Sequence, residues 1–160
     1  METIIKGGNL MVFVGYTSGS QTKATKSIPL ATSHTLRISS DTQDVSNKDV
    51  AGGKWSANEV AQLSWEATTD NLYCVNGYDF LFDIMTNQEL VDITFAPKSE
   101  ADGTELPQTG SWTPTAGSAY IGKAYITSLE VTAQNGENAT LSATFTGYGE
   151  LSSTSIKPGQ

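Results

Sequence analysis

The chain has 160 residues and a formal net charge of −8, from 17 acidic side chains against 9 basic ones. That acidity excludes tight wrapping of DNA or RNA, yet it suits a wall past which nucleic acid slides without adhering. With one cysteine, Cys74, and one histidine, His34, neither an intramolecular disulfide nor a thiolate metal cluster is available.

Hydrophobic residues make up 38% of the chain and charged ones only 16%. Ser, Thr, Asn, Gln and Gly fill the difference, which is the composition of turn-rich β structure. The length suits one domain, residues 1–160. The opening stretch METIIKGGNLMVFVGY lacks the basic segment of a secretory leader, and its apolar run is too short to cross a bilayer. A cytoplasmic origin without a membrane is therefore expected, and the sequon Asn138-Ala139-Thr140 reads as chance.

In chain order, Leu10–Tyr16 is an apolar run between glycines and reads as a strand. Thr17–Thr25 reads as a polar turn, and Ser27–Ser39 as a second extended segment in which Leu36 and Ile38 alternate with polar residues. Residues 40–58 break the pattern and read as a long loop, of a length that points to function. Leu63, Trp65 and Ala67 alternate with Ser64, Glu66 and Thr68 as a half-buried strand.

The spacing then predicts a helix over Tyr78–Thr86, with Tyr78, Leu81, Phe82 and Met85 on its buried face. Asp79 is expected in its first turn and Asn87 as its left-handed end. Glu89–Ala96 returns to β. Residues 97–117 form a second polar loop holding Trp112. A long strand over Tyr120–Ala133 is expected to present Ile121, Lys123, Tyr125, Thr127, Leu129 and Val131 on one face. Asn135-Gly136 is the strongest hairpin signal, with Ala139–Tyr148 as the partner strand and a flexible tail at 152–160. The sum is a mainly all-β sandwich or barrel of six to seven strands with one short flanking helix.

Catalytic patterns are sparse. His34 has no second histidine or nearby cysteine to build a zinc site, and no Gly-x-Ser-x-Gly elbow accompanies it. Gly117–Lys123 approaches a phosphate loop, but Ala124 stands where a hydroxyl would hold magnesium. Asp41, Asp44, Asn47 and Asp49 lack the spacing of a calcium loop, and Lys48 and Lys54 beside them favour a mixed-charge contact surface. Trp55 and Trp112 lie in polar loops, where large rings either fold back on the core or dock on another chain. No enzyme activity and no cofactor are expected.

Four stretches taken together resemble the major tail (tail tube) protein family of long-tailed bacteriophages. They are NLMVFV at Asn9–Val14, ATSHTLRISSDTQDVSNKDVAGGKW at Ala31–Trp55, LSWEATTDNLYCVNGYDFLF at Leu63–Phe82, and the segment Tyr120–Glu150 with its Asn-Gly-Glu-Asn-Ala-Thr turn. The resemblance implies a β-sandwich subunit of the virion tail, with self-assembly into hexameric rings stacked as a channel for genome delivery. DNA would pass without sticking, and a tape measure and a tail terminator would be further partners.

The resemblance also implies an inter-subunit contact loop, which here falls on Asp41, Asp44, Lys48, Asp49, Lys54 and Trp55. Residues 97–117 depart from the family pattern. Two other readings use the same residues: a carbohydrate-binding β-sandwich module or adhesin stacking sugars on Trp55 and Trp112, and the tube of a phage-derived injection device.

Overall fold

The computed structural model describes residue 4 and residues 7–18, 21–28, 30–49, 51–98 and 118–155. Seven strands hydrogen-bond into one continuous antiparallel sheet: β1 (Leu10–Ser18), β2 (Gln21–Ser27), β3 (Ala31–Asp44), β4 (Asn58–Leu72), β5 (Val91–Pro97), β6 (Ser118–Thr132) and β7 (Thr140–Ser155). Their spatial order is β2-β1-β5-β6-β7-β4-β3. One helix, α1 (Val75–Thr86), packs over β6. The all-β fold with a flanking helix is thus as expected. The seven strands share one sheet, which curls so that β1 approaches β3 from the far end of the order.

Burial explains the curl. The main core lies on the helix side and gathers Val12 and Val14, Val91 and Ile93, Ala124 and Ile126, Leu141, Ala143 and Phe145, Trp65 and Ala67, with Leu81 and Ile84 from α1. On the opposite face a smaller cluster of Met11, Phe13, Ala96 and Ala119 is buried at the β1–β5–β6 end. Strand β1 is therefore apolar on both faces, which accounts for its unbroken MVFV run.

Trp65 sets the packing of the central strands. Its ring lies over Gly122 of β6 and Gly147 of β7, and a Cβ at either position would run into the ring. Its indole N–H donates to the Gly149 carbonyl at 3.2 Å. This seat explains which face of β6 turns inward. The inward face carries the small residues Gly122 and Ala124 with Ile126, while Lys123, Tyr125 and Thr127 of the expected face are exposed.

Other boundaries also move. The segment read as a polar turn at Thr17–Thr25 is largely strand. Gln21–Ser27 pairs with β1 as an edge strand, where Thr and Lys substitute for an apolar alternation that edges do not need. β3 runs on to Asp44, so the loop read over 40–58 narrows to 45–57. β7 continues through Ser155, which places the start of the expected tail in the sheet. The 97–117 loop beyond Lys98, with Trp112, lies outside the described residues, as do 156–160.

Helix α1 starts at Val75, three residues before the expected start, so Asp79 lies beyond the first turn. Its buried stripe is Gly77, Leu81 and Ile84, and Phe82 points outward. Apolar residues occupy so much of this helix's circumference that periodicity alone leaves its rotation undecided. The left-handed residue at the end is Gln88 (φ 53), while Asn87 stays right-handed. Gln88 N–H donates to the Met85 carbonyl and Glu89 N–H to that of Ile84, the paired bonds of a Schellman ending. At the other end Cys74 is the N-cap without a side-chain cap bond, and it is only half-buried. Asn135-Gly136 forms the expected β6–β7 turn, with Gly136 at φ 87.

Candidate inter-subunit arm

β4 pairs with β7 only from Glu66 to Leu72, whereas β3 pairs with β4 out to Asp44–Asn58. Beyond Glu66 the β3–β4 hairpin leaves the sheet as a two-stranded arm. Its cross-strand pairs are Arg37–Glu66, Ile38–Trp65, Ser39–Ser64, Ser40–Leu63, Asp41–Gln62, Thr42–Val60, Gln43–Glu59 and Asp44–Asn58.

The register makes the arm two-faced. Leu36–Ala67 and Ile38–Trp65 lie on the core side, and Ser40–Leu63 continues that face. The shift between Asp41 and Thr42 leaves Ala61 as the extra residue of a bulge. Without it Val60 would turn to the opposite side. With it, Val60 joins Ile38 and Leu63 in one apolar ridge that extends the core outward. These three side chains are 58, 60 and 69% exposed. The other face carries Arg37, Ser39, Asp41, Gln62, Ser64 and Glu66. A two-stranded ribbon gains little stability alone, so an uncovered apolar ridge on one marks a surface that a further layer covers.

The tip is built by local turns. Asp44 accepts from Ser46 N–H at 2.8 Å and Asn47 from Asp49 N–H at 2.9 Å, while Ala57 N–H donates to the Ser46 hydroxyl at 2.8 Å. The Ser46 hydroxyl and then its backbone N–H hold the Asp44 carboxyl below its ordinary pKa. Among the described residues no three His, Cys, Asp or Glu side chains gather as a metal site. Gly52 and Gly53, both at positive φ, bend the chain back toward Lys54 and Trp55.

All six residues expected in a contact loop lie on this arm and are exposed. Asp41 and Asp44 are in its β3 strand, and Lys48, Asp49, Lys54 and Trp55 are at its tip, with Trp55 75% exposed. The sequence reading missed the ridge of Ile38, Val60 and Leu63. An alternating pattern loses its phase at the bulge, and nothing in the residue types announces one.

His34 sits across from Thr69 within the main sheet, where β4 also pairs with β7, partly buried, and neither ring nitrogen has a partner among the described residues. Burial pushes its pKa down, and nearby Asp70 opposes this. Among the described residues no nucleophile is hydrogen-bonded to it.

The class this fold defines is an all-β protein, a seven-stranded antiparallel sheet with a flanking helix and a protruding arm. The chain belongs to the phage tail tube protein family, whose model matches residues 5–153. It is therefore a structural subunit of a tail tube. Among solved structures it is similar to the tail of an empty gene transfer agent particle refined with C6 symmetry, at TM-score 0.71 and 16% identity over 95% of this chain and 100% of that one. It is similar also to the SPP1 tail tube, at TM-score 0.60 and 14% identity over 96% of this chain and 81% of that one. The third likeness is to the sheath–tube complex of an extracellular contractile injection system, at TM-score 0.59 and 19% identity over 97% and 94%. A search by sequence among curated proteins returns no match.

Proposed function

We propose that six copies of this chain close into a ring, and that rings stack into the hollow tail of a virion through which the genome leaves. The observation that carries this reading is the arm: an amphipathic ribbon whose apolar ridge continues the core and is exposed, with none of the described residues covering it. The open sheet adds to it, since among the described residues β2 and β3 are each paired on one side only and so can offer edges to a neighbour. The C6 symmetry of the similar gene transfer agent tail supports the number six.

Helix α1 covers one face of the central strands, which leaves the other to line the bore. That face presents Lys123, Tyr125 and Thr127 of β6, Ser142, Thr144 and Thr146 of β7, and Glu66, Thr68 and Asp70 of β4. Hydroxyls predominate. Thr127 and Thr146 are bonded to each other at 2.9 Å, so part of their hydrogen-bonding capacity is already used. A surface on which Ser and Thr hydroxyls outnumber the one lysine, on a chain of charge −8, offers phosphates little to hold. Arm residues Asp41, Asp44, Lys48, Asp49, Lys54 and Trp55 then lie between subunits. A tape measure within the bore and a terminator at its end are the partners this role requires.

Negative-stain electron microscopy of the purified protein across a concentration series tests the proposal. Rings or tubes with a stain-filled centre are expected. Monomers at every concentration would refute it. The carbohydrate-binding alternative is not favoured, because the family match points to a tube.

A further inference from the structure

We infer that the arm of one copy seats on the outward face of helix α1 in a neighbouring copy, an assignment that rests on the arm being an inter-subunit element. The helix has an exposed stripe at Val75, Asp79, Phe82, Asp83 and Thr86, with spacings of four, three, one and three residues that keep them on one side. This stripe lies away from the buried Gly77, Leu81 and Ile84. Phe82 is 46% exposed and stacks on Tyr78 at 5.8 Å between centroids, and Tyr78 in turn meets Tyr73 at 5.6 Å. The result is an aromatic ladder whose exposed end is Phe82, with Tyr78 and Tyr73 half-buried and Tyr78 packed against the core.

Two properties match this surface to the arm. The first is size. The ridge from Ile38 to the Thr42–Val60 pair spans four strand residues, about 13 Å. Val75 to Phe82 spans seven helical residues, about 10 Å. The second is charge. The stripe carries Asp79 and Asp83, and α1 has no basic residue in its last turn to balance them. The arm tip carries Lys48 and Lys54, and none of these four side chains has an ion pair among the described residues. With the apolar ridge on the aromatic ladder, the tip lysines reach the two aspartates. Both sets are exposed on a lone subunit, so a second copy satisfies each. Complementary charges of this kind fix the register and speed association more than they add affinity.

Assembly of charge variants tests the pairing. Asp79→Lys with Asp83→Lys, or Lys48→Asp with Lys54→Asp, is expected to raise the concentration needed for assembly about tenfold. All four changes in one chain are expected to restore much of it. In a Cys74→Ser background, Lys54→Cys with Asp79→Cys is expected to give a ladder of disulfide-linked oligomers on oxidation, and each single cysteine no ladder. Two results overturn the assignment while leaving the tube intact: charge variants that assemble like wild type, or tubes that form without the cross-link. If wild-type protein forms no rings at all, the role of the arm falls first and this assignment with it.

Discussion

Replacing Gly147 by alanine places a methyl group against the ring of Trp65, which already lies flat over the glycine backbone. The obstruction is a packed aromatic held by the sheet, so it yields only by moving the indole. Overpacking of this kind costs about 1–3 kcal/mol. Displacing the ring also strains the indole bond to the Gly149 carbonyl, worth about 1 kcal/mol. The lower chain entropy of alanine returns roughly 0.5–1 kcal/mol. The balance is a loss of about 2 kcal/mol, which lowers the unfolding midpoint of a domain this size by about 4–8 °C. Thermal unfolding followed by circular dichroism and tryptophan fluorescence, below the assembly concentration, measures it. In a Trp65→Leu background the same substitution should cost less than half as much, because the obstruction is gone. A Gly147→Ala protein as stable as wild type, or an equal cost in both backgrounds, would refute the role given to this seat.

Three further outcomes are expected. Gln88→Gly relieves a non-glycine residue held at φ 53 and should stabilise the fold by roughly 0.5–1 kcal/mol in urea titrations. Cys74→Asp supplies the missing cap to the first turn of α1 and should add about 1 kcal/mol by the same assay. For His34, burial lowers the folded pKa below its ordinary 6.5, so the unfolded chain takes up the proton first as pH falls. Stability from this group is complete above about 6.5 and declines below it, and His34→Gln should flatten that part of the pH profile of the unfolding midpoint.

Much of the sheet was legible in the sequence because its strands alternate. Leu141, Ala143 and Phe145 point inward as their pattern requires, and Asn135-Gly136 marks its turn. Legibility failed where local pattern and packing diverge. β2 has no apolar alternation because it is an edge, and β6 turns its small residues inward because a tryptophan from another strand needs the space. For α1 the apolar arc was too broad to fix its rotation, so Phe82 was placed inside when it faces out. The mixed charge around Trp55 was legible in the sequence, and the structure places those residues exposed on the arm. The ridge of Ile38, Val60 and Leu63 depends on a bulge at Ala61, a property of the pairing between two strands and of neither strand alone.

The most direct test of the central claim is a cryo-electron microscopy reconstruction of the purified protein after assembly. Six subunits per ring are expected, with the Thr127–Thr146 face toward the bore, α1 outside it, and each arm lying on a neighbouring subunit. A particle with no central channel, or arms folded back on their own subunits, would contradict it.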